Sequence, residues 1–321
     1  MKIKPASHFL RNAKGKVGIM FHKDGDGACS AAQIIAYLKS KKITPELFTA
    51  QYEREEVSPF VNATLDHYII VDMATDEISK WLSPLEGKSV LIIDHHTSES
   101  LEHLGFVHIN PRFEKPDLYI SAAEVVGQVL KHMEFSGKEW IARLGGVCDR
   151  SLKPEDDNEE KASTIIDAVR SVQKDKGLIS LAKFLATANN LEEFIFEERF
   201  QKSYEELWNE VDRQVSEYEL QAVGDVNFLE LRANFSVTAI LVNKLFELYP
   251  KRTIIIYRNT PHGIKISGRS HKYDLNKAFS SASEGIGTGG GHPQASGAKV
   301  SDFSKFRKRV LANFEEQDTK K

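Results

Sequence analysis

Residues 17–27 read VGIMFHKDGDG, an apolar, β-prone run that ends in alternating charged residues and glycines. The run predicts a buried strand, and the small and apolar residues at helical spacing over 28–39 predict a helix after it. Two more β-branched runs, HYIIVDM at 67–73 and VLIID at 90–94, each lead into an acidic residue, and helical patterns separate them. Strands that alternate with helices predict an α/β fold with a doubly wound, mostly parallel sheet.

The rest of the chain has a different character. From residue 155 to about 223 the sequence has only helical periodicity, including one long amphipathic helix predicted over 191–220. Strand-like runs return after Gly224, and a glycine-rich segment at 285–297 precedes a strand-like AKV and a basic final helix. We therefore predict three parts: an α/β domain over 1–154, a helical connector over 155–223 and a smaller α+β domain over 224–321.

Composition excludes several classes of protein. Of the 321 residues, 41% are hydrophobic and 28% are charged, as in a soluble globular protein. No apolar run approaches the ~20 residues of a membrane-spanning helix, and the first residues lack the pattern of a secretion signal. The two cysteines provide neither a disulfide framework nor a CxxC zinc site. We expect a cytoplasmic protein with no membrane partner.

Residues that can bind metal follow three of the predicted strands. The first strand leads into His22, Asp24 and Asp26, and the next two lead into Asp72 and into Asp94-His95-His96. Because ligands bind beyond the carboxyl ends of parallel strands, we expect these groups to meet at one edge of the sheet. A helical segment, WIARLGGVCD, ends in a further acidic residue. The complete candidate set is His22, Asp24, Asp26, Asp72, Asp94, His95, His96 and Asp149.

So many carboxylates at one edge would repel each other unless cations neutralise them. Carboxylate and imidazole ligands without thiolate suit Mn²⁺, Mg²⁺ or Co²⁺. Two metal ions that share a bridging carboxylate fit the number of ligands, and such pairs activate water for phosphoryl displacement. Taken alone, Asp-Gly-Asp-Gly also fits a surface turn, and Asp72 also fits a helix cap. Their shared position after strands of one sheet favours the metal site.

The C-terminal part has candidate anion-binding groups of its own. The run Gly287 to Gly291 is predicted to let the backbone approach an anion and offer N–H donors as a nest. His292 follows the run, and Arg269 could bind a phosphate through two hydrogen bonds. A flexible loop is the alternative for the glycine run alone. Residues 224–321 contain 16 Lys or Arg and 9 Asp or Glu, a balance that also suits anions.

In combination, these motifs resemble those of the DHH phosphoesterases. HKDGDG (22–27), VDMA (71–74), IIDHH (92–96) and GGVCD (145–149) are similar, in order, to the four N-terminal motifs of that family. GIKISGRS (263–270) and GTGGGHPQASGAKV (287–300) resemble motifs of the associated C-terminal domain. The family includes RecJ-type exonucleases, nanoRNases, phosphodiesterases of cyclic or linear dinucleotides, and family II pyrophosphatases.

The resemblance implies roles for the candidate residues. One metal ion would be held by His22, Asp24 and Asp72, and a second by Asp26, Asp72, His95 and Asp149, so that Asp72 bridges the two. Asp94 would orient a motif histidine. His96 would contact the scissile phosphate or assist the leaving oxygen. His22 and Asp24 are two residues apart, as in the archaeal RecJ-like pattern, whereas the nanoRNase pattern has two more residues between them.

In the C-terminal domain, the resemblance implies a substrate site made of Ser267, Arg269, Ser270, Gly289, Gly290, Gly291 and His292. We therefore expect a metal-dependent phosphodiesterase in which two metal ions, Mn²⁺ before Mg²⁺ or Co²⁺, activate water. Its substrates would be short oligonucleotides or dinucleotides, which it would hydrolyse to mononucleotides. The substrate would lie in a cleft between the catalytic and substrate-binding domains. Family analogy also suggests a homodimer.

Three alternatives stay open. A RecJ-like exonuclease that acts on longer single-stranded DNA or RNA is the first, although the chain has no evident OB-fold or helicase-like segment. An inorganic pyrophosphatase fits the N-terminal motifs, but the Ser-x-Arg-Ser and GGGH elements favour a nucleotidyl substrate. A nonenzymatic replication scaffold is the third, but such relatives have typically lost metal ligands, and every ligand position is filled here.

Overall fold

The computed structural model of the protein describes residues 3–221 and 224–319. These residues form two compact units that divide between Glu205 and Glu206. The predicted domain boundaries at 154 and 223 stay a prediction. Residues 1–2, 222–223 and 320–321 of the predicted domains lie outside the described residues. Among the described helices, each is too short or too polar to cross a lipid bilayer.

The first unit contains five strands, eight helices that lie wholly within it, and the beginning of a ninth. In chain order the elements are α1 (Lys4–Asn12), β1 (Val17–His22), α2 (Gly25–Ser40), β2 (Glu46–Ala50), α3 (Arg54–Val61), β3 (His67–Val71), α4 (Thr75–Leu82), β4 (Val90–Ile93), β5 (Val107–Ile109), α5 (Ala122–His132), α6 (Glu139–Cys148), α7 (Asp157–Leu185), α8 (Leu191–Ile195) and α9 (Glu198–Gln221). Short 3₁₀ turns lie at Ser83–Leu85, Glu102–Leu104 and Pro111–Phe113.

The five strands form one parallel sheet in the order β2-β1-β3-β4-β5. The α/β fold with a parallel sheet is thereby confirmed. Ile19 and Phe21 of β1 point into one hydrophobic cluster, and Met20 points into another on the opposite face. Because both faces are covered, the central strands contain the apolar runs 17–21, 68–71 and 90–93. Strand β2, which is partly exposed, was not predicted from the sequence.

The Asp-Gly-Asp-Gly stretch is the start of α2 and not a surface turn. The carboxylate of Asp24 accepts a hydrogen bond of 3.0 Å from the backbone N–H of Gly27, and α2 begins at Gly25, three residues before its predicted start. A Cβ atom on Gly27 would lie 2.3 Å from the carbonyl oxygen of His22. Glycine therefore allows the first turn of α2 to lie directly against the end of β1.

The single long helix predicted over 191–220 is wrong, because α8 and α9 are separate. Phe194, Ile195 and Phe200 are all buried in the same hydrophobic cluster. In one continuous helix their side chains would point in directions about 100° or more apart, since each residue turns the helix by about 100°. The break between α8 and α9 lets all three pack into one core.

The second unit is a smaller α+β structure. After the division, which falls within α9, its elements are β6 (Val226–Glu230), α10 (Thr238–Leu248), β7 (Thr253–Thr260), β8 (Gly263–Arg269), α11 (Leu275–Ser283), β9 (Gly287–His292), β10 (Ala295–Val300) and α12 (Phe303–Thr319). The strands form a sheet in the order β6-β7-β8-β10-β9, in which only the β6–β7 pair is parallel. One face packs through Ile266 against Phe279 of α11 and Phe306 of α12.

The glycine run is a strand, which corrects the predicted nest or loop. It forms β9, whose residues pair with those of β10 along their whole length. Gly290 and Gly291 have φ angles of +154° and +142°, which favour glycine. A Cβ atom on Gly289 would lie 2.7 Å from the carbonyl oxygen of Phe279. The glycines therefore let α11 lie close to this edge strand.

Replacement of Gly27 by alanine tests the junction of β1 and α2. We expect the free energy of unfolding to fall by more than about 2 kcal/mol, because the added methyl group meets backbone that cannot move cheaply. Urea titration of the metal-free protein measures this. Gly87→Ala is the control, because that site is open and only its φ of +74° costs about 1 kcal/mol. Equal losses for the two variants would contradict the interpretation.

Candidate metal centre

The carboxyl ends of three neighbouring strands form the framework of the site. His22 ends β1, Asp72 follows β3 directly, and Asp94, His95 and His96 follow β4. Asp72 has a φ of +58°, in the left-handed region that non-glycine residues adopt only at a cost. Its N–H donates a hydrogen bond of 3.0 Å to the carbonyl oxygen of Ile93, which holds this turn. The predicted convergence at one sheet edge is therefore present in the structure.

The potential metal ligands form three overlapping groups. Within each, one ligand atom per residue lies within 4.8 Å of the others, and the groups are His22-Asp24-Asp72, Asp72-His95-His96 and Asp26-His95-Asp149. Asp72 and His95 each belong to two groups. An arrangement in which one carboxylate joins two groups is the one that a bridging ligand requires.

Distances place His22 and His95 on two sides of Asp72. His22 Nδ1 lies 2.5 Å from Asp24 Oδ2 and 3.8 Å from Asp72 Oδ2. His95 Nε2 lies 3.2 Å from Asp72 Oδ1 and 3.7 Å from Asp26 Oδ2. The two oxygens of Asp72 therefore face different histidines.

Asp149 lies beside His95, on the same side of Asp72. It is the C-terminal cap of α6, and its Oδ2 lies 3.8 Å from His95 Nδ1. The predicted residue from the fourth motif thus reaches the same cluster from a helix rather than from a strand. Sequence spacing alone could not establish this approach.

Asp26 has a second role that the sequence analysis missed. Its two oxygens accept hydrogen bonds of 2.7 and 2.8 Å from the backbone N–H groups of Ala122 and Ala123. These residues begin α5, so the carboxylate lies at the positive end of the helix dipole. Asp26 therefore fixes α5 against the sheet edge as well as facing His95.

The pKa directions report strong crowding of charge. Burial, followed by repulsion from Asp24, raises the pKa values of Asp26 and Asp72 well above their usual range, and the same two causes raise that of Asp149 to about 6. Burial alone would raise the pKa of Asp24, but its contact with His22 prevails and lowers it. Added positive charge would offset this repulsion and favour the ionised carboxylates.

Unpartnered buried atoms show that the cluster fits divalent cations. Four such atoms lack a hydrogen-bond partner among the described residues: Asp72 Oδ2, Asp94 Oδ2, His95 Nδ1 and Asp149 Oδ2. Burial, followed by the nearby His96, lowers the pKa of His95 to about 4, so this imidazole is neutral and able to bind metal. Oxygen and nitrogen donors without thiolate suit Mn²⁺ or Mg²⁺.

His96 differs from the other groups because it is partly exposed. Its Nδ1 lies 2.7 Å from Asp94 Oδ1, and 32% of its side chain is accessible, whereas Asp94 is fully buried. Burial alone would lower the pKa of His96, but the hydrogen bond to Asp94 prevails and raises it. The contact with Asp94 therefore fixes the orientation of this partly exposed ring, and the role that the resemblance implies for the pair stays a prediction.

An ion-pair cluster that the sequence did not reveal holds the first motif. Lys23 Nζ lies 2.6 Å from Glu56 Oε1 and 3.0 Å from Asp175 Oδ2. Asp175 follows Lys174, whose φ of +55° interrupts the helical geometry of α7. The interruption therefore lies next to the ion pair between Asp175 and Lys23, which joins α7 to the first motif.

Tyr52 is a second residue that the sequence analysis missed. Its ring stacks on that of His22, with centroids 5.4 Å apart and planes at 23°. Its hydroxyl contacts the backbone of Ala74, and burial followed by the charge of Asp72 raises its pKa. Tyr52 therefore links the loops that carry His22 and Asp72. Local sequence pattern offered no signal for this contact.

The predicted C-terminal residues occupy different environments. Arg269 donates hydrogen bonds of 2.9 Å to Asn243 Oδ1 and to the carbonyl oxygen of Gly268. Arg269 and His292 both pair with Ala295 of β10, one from each side, so the sheet brings them into one row.

The other members of that predicted set lie in three further rows of the sheet and, for Ser270, in the interior. Ser267 and Gly290 both pair with Gly297, in the next row of the same register. Ser270 is fully buried, and its hydroxyl lies 2.8 Å from that of Thr253. Ser270 therefore has a structural partner, and its substrate contact stays a prediction. Gly289 and Gly291 belong to β9, opposite Ala298 and Ser296.

Sequence-family models match both units. The model described as the DHH family, N-terminal domain, matches residues 16–145, and that described as the DHHA1 domain matches residues 223–317. A search of the curated proteins found no match.

Solved structures share the fold. RecJ from Thermus thermophilus, in complex with Mn²⁺, has a TM-score of 0.69 and 16% identity; the match covers 98% of this chain and 55% of that one. An exonuclease RecJ bound to manganese has a TM-score of 0.61 and 16% identity, and the match covers 98% of this chain and 94% of that one. A pGpG-specific phosphodiesterase, PggH from Vibrio cholerae, has a TM-score of 0.54 and 12% identity, and the match covers 95% of this chain and 99% of that one. At these identities the similarity concerns the fold.

Neutralisation of Asp72 tests the electrostatic account. At a Mn²⁺ concentration about 100 times its Kd, we expect the wild type to gain about 2.7 kcal/mol of stability, whereas Asp72→Asn gains little. In EDTA, Asp72→Asn should be at least as stable as the wild type, because one source of repulsion is gone. Thermal unfolding with and without Mn²⁺ measures both effects.

The exposed Asp212 in α9 provides the matched control. Asp212→Asn should keep the wild-type response to Mn²⁺. A full Mn²⁺ response in Asp72→Asn, or none in the wild type, would contradict the account.

Two replacements of Tyr52 test whether it positions His22. Tyr52→Phe keeps the ring stack, and Tyr52→Leu removes it. We expect Tyr52→Leu to weaken Mn²⁺ binding about 10-fold, as loss of a group that orients a ligand does, and Tyr52→Phe to weaken it less. Calorimetric titration with Mn²⁺ measures the affinities. Unchanged affinity in Tyr52→Leu would exclude the positioning role.

Proposed function

We propose that this chain hydrolyses short oligonucleotides or dinucleotides to mononucleotides. The chain belongs to the DHH family of phosphoesterases, which are hydrolases that act on phosphoester bonds. The observation that carries the proposal is the buried cluster around Asp72, with ligand atoms that lack partners among the described residues. The second observation is the row in the other unit that contains Arg269 and His292.

We propose two divalent ions as cofactors, with Mn²⁺ before Mg²⁺ or Co²⁺. One set of ligands is His22, Asp24 and Asp72, and the other is Asp26, Asp72, His95 and Asp149. When bound, such ions lower the pKa of water and neutralise phosphate oxygens. A solved structure of similar fold, RecJ from Thermus thermophilus, is a complex with Mn²⁺, which supports this choice.

The chain's own residues would position the substrate at these ligands. Asp94 holds Nδ1 of His96, so the imidazole has a fixed orientation at the open side of the cluster. There it would contact the scissile phosphate or assist the leaving oxygen. Tyr52 and Lys23 would keep the first motif in place during turnover, through the stack on His22 and the ion pairs with Glu56 and Asp175.

The second unit would bind another part of the substrate. Its Arg269 guanidinium is oriented by Asn243 and Gly268, and a planar guanidinium pairs with phosphate through two hydrogen bonds. His292 lies in the same row of the sheet. We propose that these residues, with Ser267 and the β9 glycines, bind a phosphate of the nucleotide substrate. A cytoplasmic location and a homodimer stay predictions from the sequence.

A RecJ-like exonuclease acting on longer single strands is the second candidate. The similarity of fold to two RecJ structures favours it over a pyrophosphatase or a scaffold. The chain matches 55% of the length of the Thermus RecJ, so the activity of that whole protein is not transferred to this one.

An assay across substrate lengths distinguishes these candidates. We would incubate the protein and Mn²⁺ with labelled RNA and DNA ladders from two to about thirty nucleotides, and with pApA, cyclic di-AMP and pyrophosphate. We expect release of mononucleotides from the short substrates, at rates that fall as the strand lengthens. Asp72→Ala should lose this activity by a factor of about 10² or more, whereas the control Asp212→Asn should keep it.

Each other outcome has a defined meaning. Degradation of single strands at a rate independent of length would replace the proposal with the exonuclease. Turnover of pyrophosphate alone, or equal activity in Asp72→Ala and the wild type, would overturn it.

A further inference from the structure

Three cations lie in one row of the second sheet. Arg258 of β7 pairs with Lys265 of β8, and Lys265 pairs with Lys299 of β10. Directly opposed residues of antiparallel strands project from the same face, with Cβ atoms about 4.5–5.5 Å apart. We call Arg258, Lys265 and Lys299 the basic row.

No contact among the described residues stabilises the three charges of this row. Among the described residues, no hydrogen bond or ion pair of these three side chains is present, and like charges in opposed positions destabilise a sheet. The same face of β7, β8 and β10 contains no acidic residue. Its other members are Ile254, Ile256, Thr260, Gly263, Ser267, Arg269, Ala295 and Gly297.

The row lies on a part of this sheet face that solvent reaches, although Ile254 and Ile256 of the same face are fully buried. Lys265 and Lys299 are exposed, and Arg258 is half-buried. On the opposite face, Ile266 and Val300 are buried in the cluster that includes α11 and α12. The cations are therefore available to a ligand, whereas the other face forms the core.

The row continues into the predicted phosphate site. Side chains on one face of β8 alternate as Lys265, Ser267 and Arg269. At about 3.4 Å per residue, Arg269 lies about 14 Å along the strand from Lys265, which is farther than one nucleotide spans. Between the two cationic ends, Ser267 pairs with Gly297, so the intervening row has only small residues in these two strands.

We propose that the basic row is a second phosphate subsite, which binds the backbone of a single-stranded oligonucleotide whose other phosphate lies at Arg269. This inference rests on the proposed function and deepens it, because a strand of several nucleotides can place separate phosphates at the two sites. Among the short substrates proposed above, those of several nucleotides would therefore gain binding affinity from the second subsite. Lysine and arginine contacts to phosphate carry no base information, so the subsite would accept RNA and DNA of any sequence.

The positive charge of the basic row, and its position on the same sheet face as the predicted phosphate site, identify the ligand as a nucleic-acid strand. The row has three positive charges and no acidic neighbour in its face, which is complementary to a polyanion. An acidic peptide would share that charge, but the row with Arg269 and His292, on the same face beyond Ser267, belongs to a domain whose proposed substrate is a nucleotide. A strand with evenly spaced phosphates can occupy both rows at once.

Paired lysine replacements provide the test. Lys265→Gln with Lys299→Gln removes two charges of the row. Lys305→Gln with Lys308→Gln removes two charges from exposed positions of α12, the basic final helix. Both variants keep long polar side chains, so circular dichroism should show the wild-type spectrum for each.

The readout is binding of a labelled single-stranded octamer to the full chain in EDTA, by fluorescence anisotropy at several salt concentrations. We expect the row variant to bind about 10-fold more weakly and the slope of log K against log salt to fall by about 1.4, about 0.7 for each lost phosphate contact. With Mn²⁺, its KM for the octamer should rise about ten times more than its KM for pApA. The α12 variant should match the wild type.

Three results would overturn the subsite: octamer binding by the row variant equal to wild type, an equal loss in the α12 variant, or equal increases of KM for octamer and pApA. Displacement of the octamer by polyglutamate as readily as by unlabelled octamer would assign the row to acidic proteins and also overturn it. Binding does not require catalysis. Loss of octamer binding in a protein that hydrolyses no oligonucleotide would therefore support the row and overturn the proposed function alone.

Discussion

Repulsion among buried carboxylates at the edge of the first sheet is the constraint on which the N-terminal structure depends. Asp72 lies at its centre, with one histidine facing each of its oxygens. Water screens such repulsion poorly at a buried site, so protons or cations must offset it. The structure keeps the groups together through the positive end of α5 at Asp26 and through the left-handed turn at Asp72 itself.

The surroundings of the cluster hold its members at fixed positions. Tyr52 lies against His22, and Lys23 is fixed by acidic residues of α3 and α7. Asp94 orients His96 at the accessible side. These contacts come from separate parts of the first unit, so the geometry of the ligands depends on its packing as a whole. The second unit contributes a different chemistry, since the exposed positions of its sheet include the basic residues Lys265 and Lys299.

Much of this arrangement could be predicted from the sequence because the central strands are buried on both faces. Short, continuously apolar runs such as 90–93 are typical of such strands, and a parallel sheet then requires that Asp72 and Asp94 share an edge. The glycine strand was missed because residues without side chains carry no β-type pattern. The contacts of Tyr52 with His22 and of Lys23 with Asp175 join distant segments, which a single sequence does not connect. The capping of α5 by Asp26 spans 96 residues and was missed for the same reason.

The most direct test of the central claim is a crystal structure of the protein grown with Mn²⁺, with the ions located by anomalous scattering. The account predicts two ions about 3.5–4 Å apart, both in contact with Asp72, with His22 and His95 on opposite sides. A single ion away from Asp72, or an empty cluster at saturating Mn²⁺, would contradict it.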